Sequence, residues 1–342
     1  MITSVLRMLH LAILGMLLSG SATQAAHAQS ECRFRGTLDA LYCDENRDLV
    51  ADSPQSPDQF INPSTLAFSY TPVEDPAIYE KIFRPFTEYL AVCTGRPVVY
   101  QRLQSNAAEI EAMRQGRLHV AGFSTGPTNY AVKQAGAVPF AAKGSDNGIL
   151  GYRLLLIVKK GSAFYKPTDL KGRRVAHVQP SSNSGNLAPR ALFPALGLKP
   201  DQDYKVLYSG KHDNSIAGVI SGEFDGAPVA SGVLERMIAR GQVKEDDLRV
   251  IWSSGLFPTT AFAHAHNLEP KLRDTIIKCF HEFRYPKTLQ TTFKGADRFV
   301  PITYLEHWAL VRSIAAGSGE RFSAAPAEAG KNAQAGQLPS SK

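Results

Sequence analysis

The chain lacks most of the features that announce an activity. Beyond its first 28 residues it has no apolar run near the roughly 20 residues that a membrane-crossing helix requires, so the mature chain is not expected to span a membrane. The basic clusters Lys159-Lys160 and Lys171-Gly172-Arg173-Arg174 carry no interleaved aromatic residues, which speaks against a nucleic-acid platform. His264-Ala265-His266 puts two imidazoles on one strand face with no third ligand at metal-site spacing, and no metal or other cofactor is expected. The pair reads instead as a partly exposed strand end before a helix cap at Asn267. Cysteine is scarce: there are four, and none follows Leu18-Ser19-Gly20, where a lipid-anchored leader would carry one.

Residues 1–28 read as a cleavable secretory leader, with Arg7 as its positive end, Leu9 to Leu18 as its apolar stretch and Ala26-His27-Ala28 before the cut. The mature chain is therefore expected to be exported. Losing Arg7 takes the formal charge of +7 down by one, so the mature chain stays basic, which mildly favours anionic partners. In an oxidising compartment four cysteines imply two disulfides. Three pairings are possible, and the sequence separations favour Cys32 with Cys43 and Cys93 with Cys279.

Residues 29–65 are rich in Asp, Pro and Ser and form an irregular extension. From Leu66 onward strands and helices alternate. Leu66–Tyr70 is a strand, Asp75 caps a helix with Pro76 at its first position, and Pro85 should kink that helix. Further strands fall at 96–100, 118–121, 152–158, 174–178, 204–208, 225–229 and 248–252, while 144–151 reads as turns. This repeating grammar predicts two α/β lobes with mainly parallel sheets and a ligand between them. Polar residues follow strands at Tyr70, Gly122 to Gly126, Ser181 to Ser184 and Ser209 to Asn214, where sites of such folds collect. Residues 316–342 carry no core residues and read as a disordered tail.

The stretch Val175 to Pro189 is the most informative. A strand runs into Ser181-Ser182-Asn183-Ser184, then Gly185 permits close backbone approach as a helix opens. Free N–H groups, the positive helix end and neutral hydroxyl and amide donors suit a small oxyanion held without a fixed countercharge; an N-cap with spare serines is the plainer alternative. Gly122-Phe123-Ser124-Thr125-Gly126 matches the G-x-S-x-G elbow of serine hydrolases, with Ser124 as nucleophile and bases such as His212 or His264 elsewhere, although no H-G-G loop precedes it. His212, opening a helix after Ser209-Gly210, can donate to an oxyanion or act as a cap. Tyr152, beside Gly151 at a crossover, can extend a phenol into the cleft.

These residues resemble the periplasmic solute-binding proteins of phosphonate, phosphite and phosphate ABC transporters. The resemblance covers residues 66–311 and rests on Phe68-Ser-Tyr-Thr-Pro72 with its kinked helix, Gly151-Tyr152, Ser182-Asn-Ser-Gly185 with Leu187 and Pro189, and Ser209-Gly-Lys-His212. It implies the type II periplasmic binding protein fold, with residues 66–151 plus 255–315 in one lobe and 152–254 in the other. It also implies ligand contacts from Ser182, Asn183, Ser184, Tyr152 and His212, with Thr125 and Tyr70 as further candidates, and an ABC permease as partner of a monomeric, non-enzymatic chain. Gly232 and Thr260 stand where relatives that bind aminoalkyl phosphonates have acidic residues, and Phe123 stands in the place of a tyrosine. The resemblance therefore favours a compact phosphorus oxyanion: phosphite, phosphate or a small phosphonate. The alternative is an arsenite-type sensor that signals to a histidine kinase, for which a free Cys93 or Cys279 would be the signature; a serine hydrolase is a minor one.

Overall fold

The computed structural model describes residues 32–319; the leader lies outside this range, as does the tail from residue 320. Residues 32–65 are turns and a single 3₁₀ turn at Pro57–Gln59. They are held by the Cys32–Cys43 bond and by Leu38, Tyr42, Val50 and Ala51, which bury beside Val132, Trp308 and Val311.

Strand β1 (Leu66–Tyr70) is followed by helix α1 (Pro76–Thr94). The Asp75 carboxylate accepts the Ala77 N–H at 3.0 Å, Pro76 sits where a backbone donor would be idle, and Gly95 ends the helix at φ 66°. Pro85 removes one donor from the middle of α1 without ending it, because the face carrying Tyr79, Phe83, Phe86 and Leu90 is fully buried. β2 (Val98–Tyr100), α2 (Asn106–Arg114), β3 (Val120–Phe123) and α3 (Thr125–Ala135) follow. Then come β4 (Ala137–Ser145), the short β5 (Gly148–Ile149) and the long β6 (Gly151–Lys159).

The chain next builds β7 (Arg174–His177), a π turn at Asn183–Leu187 leading into α4 (Ala188–Leu192), β8 (Lys205–Tyr208), α5 (His212–Ser221), β9 (Ala227–Ala230), α6 (Ser231–Ala239) and β10 (Leu248–Pro258). It closes with β11 (Ala261–Ala265), α7 (Pro270–Glu282), α8 (Lys287–Thr292), β12 (Arg298–Pro301), α9 (Tyr304–His307) and α10 (Ala309–Gly317).

The architecture is two α/β lobes. One is a seven-stranded sheet in the order β12-β4-β11-β3-β1-β2, with β5 paired to β4. In the other, β10-β6-β9 and β7-β8 are linked by a bridge between Val175 and Gly226. Parallel pairing occurs where helices make the crossover, at β1–β2, β1–β3 and β7–β8. The strands that enter later, β4, β11 and β12, add antiparallel pairs, as do the long β6 and β10. β6 leaves the first sheet and β10 returns to it side by side, with Gly151 opposite Pro258 and Tyr152 opposite Phe257.

Residues 137–145 form an inner strand that the sequence reading leaves out, and 298–301 an edge strand also missed. Ala, Pro139, Lys143 and Gly144 are poor strand formers, and a register shift opposite Ala263 accommodates the proline. His264 is not at an exposed strand end: β11 lies inside the sheet, the imidazole is 4% exposed, and the next helix is capped by Glu269 rather than Asn267.

The first core is aromatic. Phe68, Phe83, Phe86, Phe262, Phe280 and Phe299 form a continuous set of tilted and edge-on pairs, such as Phe86–Phe280 at 4.6 Å between ring centroids. Such pairs add about 0.5–1.5 kcal/mol beyond burial. Beside this core the Cys93–Cys279 bond joins α1 to α7.

Buried histidines make stability depend on pH. Burial pushes His177, His212 and His264 down to about 4, so all three are neutral in the folded chain. An unfolded chain takes up protons on them below its ordinary value of roughly 6.5, so their contribution is complete above that pH and is lost as pH falls toward 4. Glu109, raised by burial to about 8, acts in the opposite sense above its ordinary carboxyl range, with one proton against at least four, since His266 is also held down to about 4. We expect the melting temperature to fall steadily from pH 6.5 to 4.5; a flat profile across that interval would contradict the neutral burial of these rings.

Candidate ligand-binding site

Between the two sheets lies a cavity of about 170 Å³, and Tyr70, Thr125, Tyr152, Ser182, Asn183, Ser184 and His212 all line it. Residues scattered over more than 140 positions converge because each lies at or just beyond a strand end or helix start. Tyr70 ends β1, Thr125 opens α3 after β3, Ser182 to Ser184 follow β7, and His212 opens α5 after β8.

The loop from 180 to 187 is built by its own side chains. Ser182 Oγ accepts the Gly185 N–H at 3.2 Å, and the Ser182 carbonyl accepts from Asn186 and Leu187. Asn186 Nδ2 donates to the Pro180 carbonyl at 2.8 Å, and its Oδ1 meets the buried His177 ring at 2.8 Å. Two glycines make the close approach possible. A methyl group on Gly185 would lie 2.5 Å from Val178, and one on Gly126 would lie 2.2 Å from the Ser181 carbonyl. Gly126 thus seats the start of α3 directly on the loop of the opposite lobe, and a packing need accounts for the last glycine of the G-x-S-x-G match. Ser124 has ordinary extended angles (φ −65°, ψ 166°), and among the described residues no histidine accepts from its hydroxyl.

His212 has a defined tautomer. Its Nδ1 accepts the Ala230 N–H at 3.3 Å, which leaves the proton on Nε2, 3.5 Å from Ser184 Oγ. The ring is thus a neutral donor aimed at the loop. Asn183 Nδ2 donates to the Tyr152 hydroxyl at 3.1 Å, and that hydroxyl also interacts with Thr125 and Ser184. Burial pushes the phenol above its usual range against these hydrogen bonds, so Tyr152 keeps its proton. The Thr125 hydroxyl donates to the Pro258 and Thr259 carbonyls at 2.8 and 2.9 Å and so pins the β10–β11 crossover. Tyr70 is held by Thr260 Oγ1 at 3.0 Å, and burial raises it to about 12. Phe123 is fully buried in the first core and is not among the lining residues.

The charged residues at the site carry little signal in the sequence. Lys143 on β4 and Arg236 on α6 both line the cavity, and the buried Glu74 accepts from Arg236 Nε at 2.8 Å and from Arg240. A lysine closing the apolar run Val138 to Ala142 was the one available signal for the first; the ion pairs join residues 162 and 166 positions apart and leave no local trace. Cys93 and Cys279 are bonded to each other and do not line the cavity.

Comparison with known proteins fits this geometry. The chain is 24% identical over 243 residues to the phosphate-import protein PhnD of Mycolicibacterium smegmatis, covering 67% of this chain and 75% of that one. It is 27% identical over 186 residues to the phosphonates-binding periplasmic protein of Escherichia coli, covering 53% and 54%. Its fold matches PhnD1 of Prochlorococcus marinus in complex with methylphosphonate, with a TM-score of 0.66 at 19% identity over 74% of this chain and 97% of that one. A binding protein component of an ABC phosphonate transporter from Pseudomonas aeruginosa matches with a TM-score of 0.67 at 21% identity, over 74% and 86%. These neighbours have the type II periplasmic binding protein fold. Residues 68–308 match the family model for the periplasmic substrate-binding protein of phosphonate ABC transporters, and the chain belongs to that family.

Proposed function

We propose that the chain captures a small phosphorus oxyanion, phosphate, phosphite or a small phosphonate, in the periplasm and delivers it to an ABC permease. The observation that carries this reading is the convergence of Ser182, Asn183, Ser184, Tyr152 and the Nε2–H of His212 on one buried cavity between two lobes. These groups are neutral donors in a water-poor site, where each hydrogen bond to an anion is charge-assisted. Tyr70 adds a phenol at the wall, and Thr125 acts as a positioning residue through the crossover. Capture needs no bond-making: the anion favours the closed form by its differential affinity for it. An arsenite sensor reading would call for a thiol near the anion, and the bonded cysteines outside the cavity favour the phosphorus ligand.

The test is thermal shift and calorimetry on residues 29–342 with phosphate, phosphite, methylphosphonate, 2-aminoethylphosphonate, sulfate and arsenite, with and without reductant. A saturable rise with a phosphorus oxyanion, indifferent to reductant, is expected. Ser184→Ala removes one charge-assisted bond and should weaken that binding about 10- to 100-fold. A response to arsenite alone, or a Ser184→Ala chain that binds as well as the parent, would refute the assignment.

A further inference from the structure

The cavity holds basic side chains as well as neutral donors. Lys143 is 2% exposed, and its Nζ lies 2.6 Å from the Tyr70 hydroxyl, which shares a second bond with Thr260. The Phe293 and Tyr70 rings stand 4.6 and 4.8 Å from Nζ. An ammonium has three donors, and no carboxylate pairs with this one among the described residues. Arg236 spends Nε and Nη2 on Glu74 and Tyr79, while Nη1 has no acceptor among the described residues. Nη1 lies 3.4 Å from where a side chain on Gly232 would begin, so the bare glycine, itself a lining residue, leaves that edge of the guanidinium open to the cavity. Other charged groups do not cancel the pair: Glu74 is committed to two arginines and does not line the cavity, Glu109 lies outside its lining, and Glu235 and Lys294 are exposed lining residues of opposite sign.

We infer that the solute carries, besides its phosphorus oxyanion, a second anionic group such as a carboxylate, which Lys143 Nζ and Arg236 Nη1 hold together. This inference rests on the phosphorus-oxyanion reading and names the substrate class within it: short phosphonocarboxylates. A methyl substituent would leave buried donors unpaired, and an ammonium substituent would meet the Arg236 guanidinium and find no countercharge on Lys143. A carboxylate supplies the countercharge that Lys143 lacks in a site whose burial disfavours its charged form. Binding therefore favours the protonated form of Lys143.

The deciding experiment is calorimetry of the mature chain and of Lys143→Met with phosphonoacetate, methylphosphonate and 2-aminoethylphosphonate, in buffers of different ionisation heat. Phosphonoacetate should bind the wild type about 30-fold tighter than methylphosphonate, and Lys143→Met should erase that advantage while changing methylphosphonate binding less than about threefold. The wild type should take up more protons with phosphonoacetate than with methylphosphonate; this measurement decides the matter if the variant does not fold. Equal affinity for the two ligands, or an advantage that survives Lys143→Met, overturns the inference while leaving phosphorus capture standing. Failure of every phosphorus ligand overturns the underlying reading as well.

Discussion

Glu74→Leu should destabilise the folded chain by about 3–5 kcal/mol, the usual cost of removing one partner from a buried ion pair. Glu74 is fully buried, accepts from Tyr79 at 2.8 Å, and faces the guanidinium groups of Arg236 and Arg240. Burial alone would raise its pKa, but the two arginines and Tyr79 hold it below the usual carboxylate range. Its backbone follows β1 in one lobe, whereas both arginines belong to α6 and its C-terminal end in the other. A nearby backbone bond, from the His212 N–H to the Val73 carbonyl, and the Asn106–Ser181 bond cross the same gap. The variant should therefore lose closure as well as stability. Urea denaturation would read the first, and a larger radius of gyration by small-angle scattering the second. Replacing both arginines by apolar residues in the Glu74→Leu background should recover most of the stability, because no buried charge is then left unpaired. A loss below about 1 kcal/mol, at the level of a surface pair, would show that Glu74 is not the tie described.

Cys93→Ala with Cys279→Ala should have a comparable effect by a different route. The bond closes a loop with a sequence separation of 186 residues, and in the chain-entropy model releasing it favours the unfolded state by about 5 kcal/mol. Cys279 is fully buried beside the aromatic core, so a small packing loss adds to this. The melting temperature should drop by roughly 8 °C for a chain of this size, with ligand affinity retained once folded, since neither cysteine lines the cavity. An unchanged melting temperature would indicate an unfolded state already compact around these helices.

The two predictions differ in what made them visible. For the cysteines, sequence separation and compartment favoured this pairing among three, and the structure joins Cys93 to Cys279. Glu74 could not be assigned a role, because nothing near Pro72-Val73-Glu74-Asp75 refers to α6, and a solvated acid ahead of a helix reads the same way. Lys143 shows the same limit through secondary structure. The run Ala137 to Ser145 becomes a strand because β11 and β12 hydrogen-bond to its two edges, overriding an alanine-rich, proline-containing segment of weak intrinsic preference. With the strand unrecognised, nothing placed its lysine in the cavity.

What the sequence determined by itself was the alternation of strands and helices, the cap at Asp75, and the polar loops at 70, 122–126, 181–184 and 209–214. Each is a local matter: hydrophobic period, turn chemistry and the free N–H groups of a helix start. The tertiary structure alone decided which of those polar residues act as donors toward the cavity. Thr125 is committed to the crossover carbonyls, and His212 is fixed as a neutral Nε2 donor by the backbone of β9. It also decided that two basic side chains, Lys143 and Arg236, share the cavity with them. Those outcomes depend on burial and on partners many residues away, and desolvation and long-range pairing leave no periodicity in the chain that carries them.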